Sequence, residues 1–165
     1  MNKIIFLDID GVLNNTALGI KSRDTWRLFN DIDTVGGELS SINIKNLNDI
    51  TDQTKADIVI SSSWRILYDI HELRDILHTA GVTGNIIDFT QNLPGRGIRR
   101  GNEIQCYIED HYPWKKGIGY DVKYAIFDDD SDVLYWHRDS FFWCDPACGL
   151  SQNIAYKVIN HLGLK

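Results

Sequence analysis

Three short apolar runs punctuate the chain, and each stops at a polar cluster. Ile4-Ile5-Phe6-Leu7 ends at Asp8-Ile9-Asp10-Gly11, Ile58-Val59-Ile60 at Ser61-Ser62-Ser63, and Tyr124-Ala125-Ile126-Phe127 at Asp128-Asp129-Asp130. Runs without polar alternation suit strands buried on both faces, as in a parallel sheet. Ile86-Ile87-Asp88-Phe89 and Phe141-Phe142-Trp143 read as two further short strands. Helical spacing fills the intervals. A crossover helix is expected around Ile44 to Ile50. A second carries Leu67, Ile70, Leu73 and Leu77, with Ser62 or Ser63 as N-cap and Gly81 as terminator. A third runs from Gly101 to about His111 with Ile104 and Ile108 on one face, and Ser151 caps a last helix that turns Ile154, Ala155, Val158 and Leu162 inward.

Strands alternating with helices predict an α/β fold with a mostly parallel sheet and right-handed crossovers. Ligands of such sheets bind beyond the carboxyl ends of the strands, so the Asp-x-Asp, Ser-Ser-Ser and Asp-Asp-Asp clusters are expected to meet in one crevice. The 165 residues suffice for one domain spanning residues 1–165.

Composition narrows the function classes. A net charge of −6 argues against a protein that coats nucleic acid, because extended backbone binding needs a basic face. No apolar run reaches the roughly 20 residues that span a bilayer. The first apolar run meets Asp8 too soon for a signal peptide. Three cysteines, Cys106, Cys144 and Cys148, form neither a Cys-x-x-Cys pair nor an even set, as expected of reduced thiols in a cytoplasmic protein. The five histidines are dispersed and read as core or surface residues.

The acidic clusters change the picture most. Carboxylates gathered in one crevice repel each other unless a cation sits among them. Asp8, Asp10, Asp128 and Asp129 supply hard oxygen ligands suited to Mg²⁺. Without Cys or His among them, zinc and copper are disfavoured. Mg²⁺ in an acidic crevice commonly holds and neutralises a phosphate.

In order along the chain, Phe6-Leu7-Asp8-Ile9-Asp10-Gly11-Val12-Leu13 resembles the first motif of the haloacid dehalogenase (HAD) superfamily of phosphohydrolases. Val59-Ile60-Ser61 resembles the second and Ile126-Phe127-Asp128-Asp129 the fourth. The third is a single cation, for which Arg100 is favoured and Arg99 is the alternate. More narrowly, Ser61-Ser62-Ser63-Trp64-Arg65, the Arg-Gly-x-Glu-Ile stretch from Arg100 and Gly149-Leu150-Ser151 resemble the small HAD domains of nucleic-acid repair proteins, RNA repair included. The resemblance implies a three-layer α/β/α Rossmann-like fold with little or no cap. It also implies that Asp8 is the nucleophile that forms an aspartyl-phosphate and Asp10 the general acid and base. By the same likeness Ser61 holds a phosphoryl oxygen, with Ser62 able to exchange roles with it, and Arg100 neutralises the phosphate. Arg65 and Arg99 are further candidates to contact substrate, and Asp8, Asp128, Asp129 and the Asp10 carbonyl complete a Mg²⁺ site.

Residues 14–41, with Trp26, Phe29, Gly36 and Gly37, are expected to form at most a small flap, leaving an open site. Arg96, Arg99 and Arg100 make the most basic segment, and Trp26, Trp64 and Trp136 are candidates to stack a base. The reading is thus a Mg²⁺-dependent phosphomonoesterase acting on a nucleotide or nucleic-acid terminus, with no extended nucleic-acid or membrane binding. Two alternatives stand beside it: a phosphatase of small sugar or metabolite phosphates, and a receiver-like signalling domain.

Overall fold

The computed structural model describes residues 1–15, 39–117 and 119–163. Its strands are β1 (Asn2–Leu7), β2 (Asp57–Ile60), β3 (Ile86–Phe89), β4 (Trp114–Lys115), β5 (Gly119–Tyr120), β6 (Val122–Asp128) and β7 (Phe141–Trp143). Its longer helices are α1 (Ser41–Thr54), α2 (Ile70–Thr79), α3 (Arg100–His111) and α4 (Gln152–Gly163). Five strands form one sheet in the order β3-β2-β1-β6-β7, every neighbouring pair parallel. β4 and β5 make a separate antiparallel hairpin.

The apolar runs are unbroken because the sheet is covered on both sides. Successive side chains of a strand point to opposite faces. Ile5 and Leu7 of β1 join Ile58, Ile60, Ala125 and Phe127 beneath α1, α2 and α4. Ile4 and Phe6 join Val59 and Ile126 against Ile104, Tyr107 and Ile108 of α3. The result is the expected three-layer α/β Rossmann-like fold. From β1 the chain builds outward through β2 and β3, then returns to the other side of β1 with β6 and β7. The switch point therefore lies between β1 and β6, where open α/β sheets bind their ligands.

Local signals account for most element boundaries. Ser40 caps α1 by accepting from the Asn43 N–H. The helix expected to run from Ser62 or Ser63 through Leu77 is instead broken. Ser63–Ile66 form a short 3₁₀ turn capped by Ser62, and α2 begins afresh at Ile70. Its start is a capping box: Asp69 accepts from the His71 and Glu72 N–H groups, and Glu72 accepts from the Asp69 N–H. This local closure leaves Leu67 63% exposed rather than packed inward. Gly81, at φ +102°, ends α2 as expected. The β4–β5 hairpin and a second 3₁₀ segment, Tyr135–Ser140, carry no periodic signal in the sequence. No helix among the described residues is long and apolar enough to cross a membrane. The expected flap falls almost wholly on residues 16–38, outside the described residues.

Candidate active site

Asp8 directly follows β1 and Asp128 ends β6, so the two flank the switch point. The Asp8 N–H donates to the Phe127 carbonyl at 3.0 Å, which continues the ladder and holds the two residues side by side. Asp8, Asp128 and Asp129 each place an oxygen within 4.8 Å of the others. Gly11 makes room for this: at φ +72°, a Cβ there would lie 2.5 Å from the Asp129 carboxyl carbon. Burial first, and then the Asp8 charge, push Asp128 up to about 8 and also raise Asp129. These three carboxylates could hold a metal ion, and their all-oxygen donor set fits Mg²⁺. One oxygen of Asp128, Oδ2, is buried and accepts no hydrogen bond, as a ligand oxygen held for an ion would be.

Arg100 opens α3. Its Nη1 lies 3.6 Å from Asp8 Oδ1 and its Nε 3.7 Å from Asp128 Oδ2. Its backbone N–H donates to Asp132 Oδ2 at 3.1 Å, which pins the start of the helix to the loop after β6. Gly101 permits that approach, since a Cβ there would run into the Leu134 backbone nitrogen. Burial alone would lower the Arg100 guanidinium pKa, but the charges of Asp8, Asp128 and Asp132 outweigh it and raise it, so the side chain stays a cation. Arg99, the alternate, is exposed at the N-cap, with its N–H donating to Asn102 Oδ1.

Ser61 and Ser62 have different surroundings. The Ser61 N–H donates to the Leu7 carbonyl at 2.8 Å, which places Ser61 at the end of β2 beside Asp8. Its hydroxyl is buried and without a partner. The Ser62 hydroxyl instead accepts from the Trp64 N–H as a cap. Arg65 turns into the protein. One guanidinium nitrogen pairs with Glu103 Oε2 at 2.5 Å and another donates to the Ser62 carbonyl, while Glu103 Oε1 accepts from the Leu93 N–H. With side chains 5% and 8% exposed, this pair ties the Ser61 loop to α3. Burial lowers the Arg65 pKa, and Glu103 offsets that only in part.

A buried arginine left unpaired is costly. Glu103→Ala is therefore expected to destabilise the protein by about 3–5 kcal/mol, read as a lower urea midpoint at unchanged slope. Arg65→Met with Glu103→Leu should recover most of that loss, because it removes both charges. A loss below about 1 kcal/mol for Glu103→Ala, the level of an exposed pair, would contradict the pairing.

Around Asp10 the structure adds contacts that the sequence pattern does not contain. Asp10 Oδ1 accepts from Asn14 Nδ2 at 2.9 Å, Asp10 Oδ2 accepts from Trp64 Nε1 at 3.1 Å, and Asn14 Oδ1 accepts from the Gly11 N–H at 2.7 Å. Trp64 is only 4% exposed, so its ring face cannot stack a base as expected of it; its indole N–H faces Asp10 instead. Trp26 lies outside the described residues. Trp136 is exposed, and so is Trp143, whose indole N–H donates to the Asp129 carbonyl at 2.8 Å. Asp132 is likewise absent from the residues that the sequence singles out, and Glu103 stands there only within the Arg-Gly-x-Glu-Ile stretch, with no role of its own. One signal does point to Asn14, an amide closing the Asp10 turn directly after Val12-Leu13. Trp143 has a cue of its own, a large aromatic ending the strand beside Asp128.

A parallel sheet in this order, with an Asp-x-Asp after its central strand and an acidic pair across the switch point, is the arrangement of a HAD-type fold. Over residues 4–155 the chain matches the family described as the HAD domain in Swiss Army Knife RNA repair proteins, and it belongs to that family. Membership sets aside the receiver-like alternative. No curated protein and no solved structure matches the chain.

Proposed function

We propose that the protein is a Mg²⁺-dependent phosphomonoesterase working through an aspartyl-phosphate on Asp8, with a nucleotide or a nucleic-acid terminal phosphate as substrate. The observation that carries this reading is that, of five buried side-chain polar atoms without hydrogen-bond partners among the described residues, three belong to residues beside Asp8. They are the Ser61 hydroxyl, Arg100 Nη1 and Asp128 Oδ2. Buried polar groups are ordinarily satisfied, so two donors and one acceptor left open beside a carboxylate suit a phosphoryl group and its cation.

In this mechanism an Asp8 oxygen attacks phosphorus. The bond from phosphorus to the leaving oxygen breaks, its electron pair goes to that oxygen, and the oxygen takes the Asp10 proton. Water then attacks the same phosphorus. The bond to Asp8 breaks and restores its carboxylate, while the proton of the water passes to Asp10. The Ser61 hydroxyl and the Arg100 guanidinium hold phosphoryl oxygens in both steps. Asp8, Asp128, Asp129 and the Asp10 carbonyl would hold Mg²⁺, which when bound neutralises phosphate charge.

Several observations favour a nucleotide or nucleic-acid end. Trp143 is an exposed aromatic where β7 ends beside Asp128, and aromatic faces stack bases. Trp136, in the 3₁₀ segment before β7, offers a second exposed ring. Arg96 and Arg99 are exposed on the segment leading into α3. The family's description names RNA repair proteins, so a role in nucleic-acid repair follows from the same reading. The net charge of −6 fits recognition of one terminus rather than a long footprint or a membrane surface. Three free cysteines fit a reducing, cytoplasmic setting.

The test is phosphate release from mononucleotides, 3′- and 5′-phosphorylated oligonucleotides and sugar phosphates. A clear preference for sugar phosphates would overturn the nucleic-acid part of the reading and leave its chemistry standing. Within the same assay Arg100→Ala is expected to lower kcat by roughly 10²–10³, the scale of losing one preorganised charge-stabilising donor. Arg99→Ala should raise KM and spare kcat. The reverse pattern would move the third-motif cation to Arg99.

A further inference from the structure

We infer that Trp64 and Asn14 are positioning residues that clamp the Asp10 carboxyl group for proton transfer to the leaving oxygen. The inference rests on the general-acid reading of Asp10. An aspartate carboxyl turns broadly about its last torsion, so its own covalent geometry does not aim it. Here each oxygen has its own donor, Asn14 Nδ2 on Oδ1 and Trp64 Nε1 on Oδ2. A donor on each oxygen fixes the plane of the carboxyl group.

Both donors are themselves fixed. The Gly11 N–H occupies Asn14 Oδ1, which turns the amide end of the side chain toward Asp10. Trp64 is buried, packs near the Tyr68 ring, and is held at its backbone by the Ser62 cap and by the Leu67 N–H donating to its carbonyl. An indole N–H only donates, so it serves the carboxyl group in either protonation state. The placement also links two motifs. Trp64 lies in the turn that follows Ser61, 54 residues from Asp10, so one short segment sets both the phosphate-facing hydroxyl and the angle of the proton donor.

The test compares kcat/KM for p-nitrophenyl phosphate and for an alkyl phosphate in wild type, Trp64→Phe, Asn14→Ala and Asp10→Asn. kcat/KM covers the steps through departure of the leaving group. Nitrophenolate departs with little need of a proton, whereas an alkoxide requires one. The ratio of the two values is independent of how much of a preparation is folded, so a destabilised variant remains informative. Trp64→Phe and Asn14→Ala are expected to lower the alkyl-to-nitrophenyl ratio by roughly 10-fold or more, the scale of a hydrogen bond to a charged group, and Asp10→Asn to lower it further. Ratios equal to wild type in both clamp variants, with Asp10→Asn still lowered, would overturn the clamp alone. A wild-type ratio in Asp10→Asn as well would overturn the general-acid reading beneath it.

Discussion

Asp8→Asn is expected to abolish phosphate release from p-nitrophenyl phosphate in the presence of Mg²⁺. Asparagine has nearly the size of aspartate and can keep the backbone bond from Asp8 to Phe127, but its amide oxygen does not act as a nucleophile toward phosphorus. The effect should not come from unfolding. The Asp8 charge helps push Asp128 and Asp129 upward, so neutralising it relieves repulsion in the metal-free protein. Against that gain stands the loss of the Asp8 charge 3.6 Å from the buried Arg100, which Asp128 still faces, so a thermal melt without Mg²⁺ should place the variant near wild type. Normal turnover by Asp8→Asn would remove the nucleophile assignment.

Metal removal carries the second large effect. Excess EDTA is expected to bring phosphate release to background, and excess Mg²⁺ to restore it. The physical source is the same crowding: Asp8, Asp128 and Asp129 place oxygens within 4.8 Å of each other. Arg100 lies 3.6 Å and 3.7 Å from two of these groups, beyond direct hydrogen bonding, and so leaves a divalent cation much of the charge to neutralise. The effect has a readout besides activity. Mg²⁺ at 100 times its Kd should stabilise the folded protein by about 2.7 kcal/mol. That gain should shrink strongly in Asp128→Asn. Full activity in EDTA, together with a melting temperature indifferent to Mg²⁺, would contradict the metal site.

How much of the molecule is legible in its sequence depends on how local each signal is. The apolar runs of β1, β2 and β6 announce burial on both faces by themselves, and the polar residue ending each run marks the carboxyl edge of the sheet. Asp8, Ser61, Arg100, Asp128 and Asp129 stand out on that basis and on the family likeness, and the structure sets them at one end of the sheet. Pairings between side chains leave no such trace. Nothing periodic links Trp64 to Asp10 or Arg65 to Glu103, which lie 54 and 38 residues apart. Arg65 reads as a substrate contact in the sequence, whereas two of its guanidinium nitrogens are taken by Glu103 and the Ser62 carbonyl and its buried Nε has no hydrogen-bond partner. The broken helix after Ser63 is a different case. Its Asp69-x-x-Glu72 box stands in the sequence, but Leu67 happens to continue the apolar spacing of α2 backward and hides the start.

The central claim, that Asp8 carries the phosphoryl group during turnover, is open to direct capture. Wild-type protein turning over p-nitrophenyl phosphate with Mg²⁺ is quenched in acid and its peptides are mapped by mass spectrometry. The prediction is one added phosphoryl group on the peptide containing Asp8, lost on treatment with hydroxylamine as an acyl phosphate is. Phosphate release with that peptide unmodified throughout, or with the phosphoryl group on another residue, would contradict it.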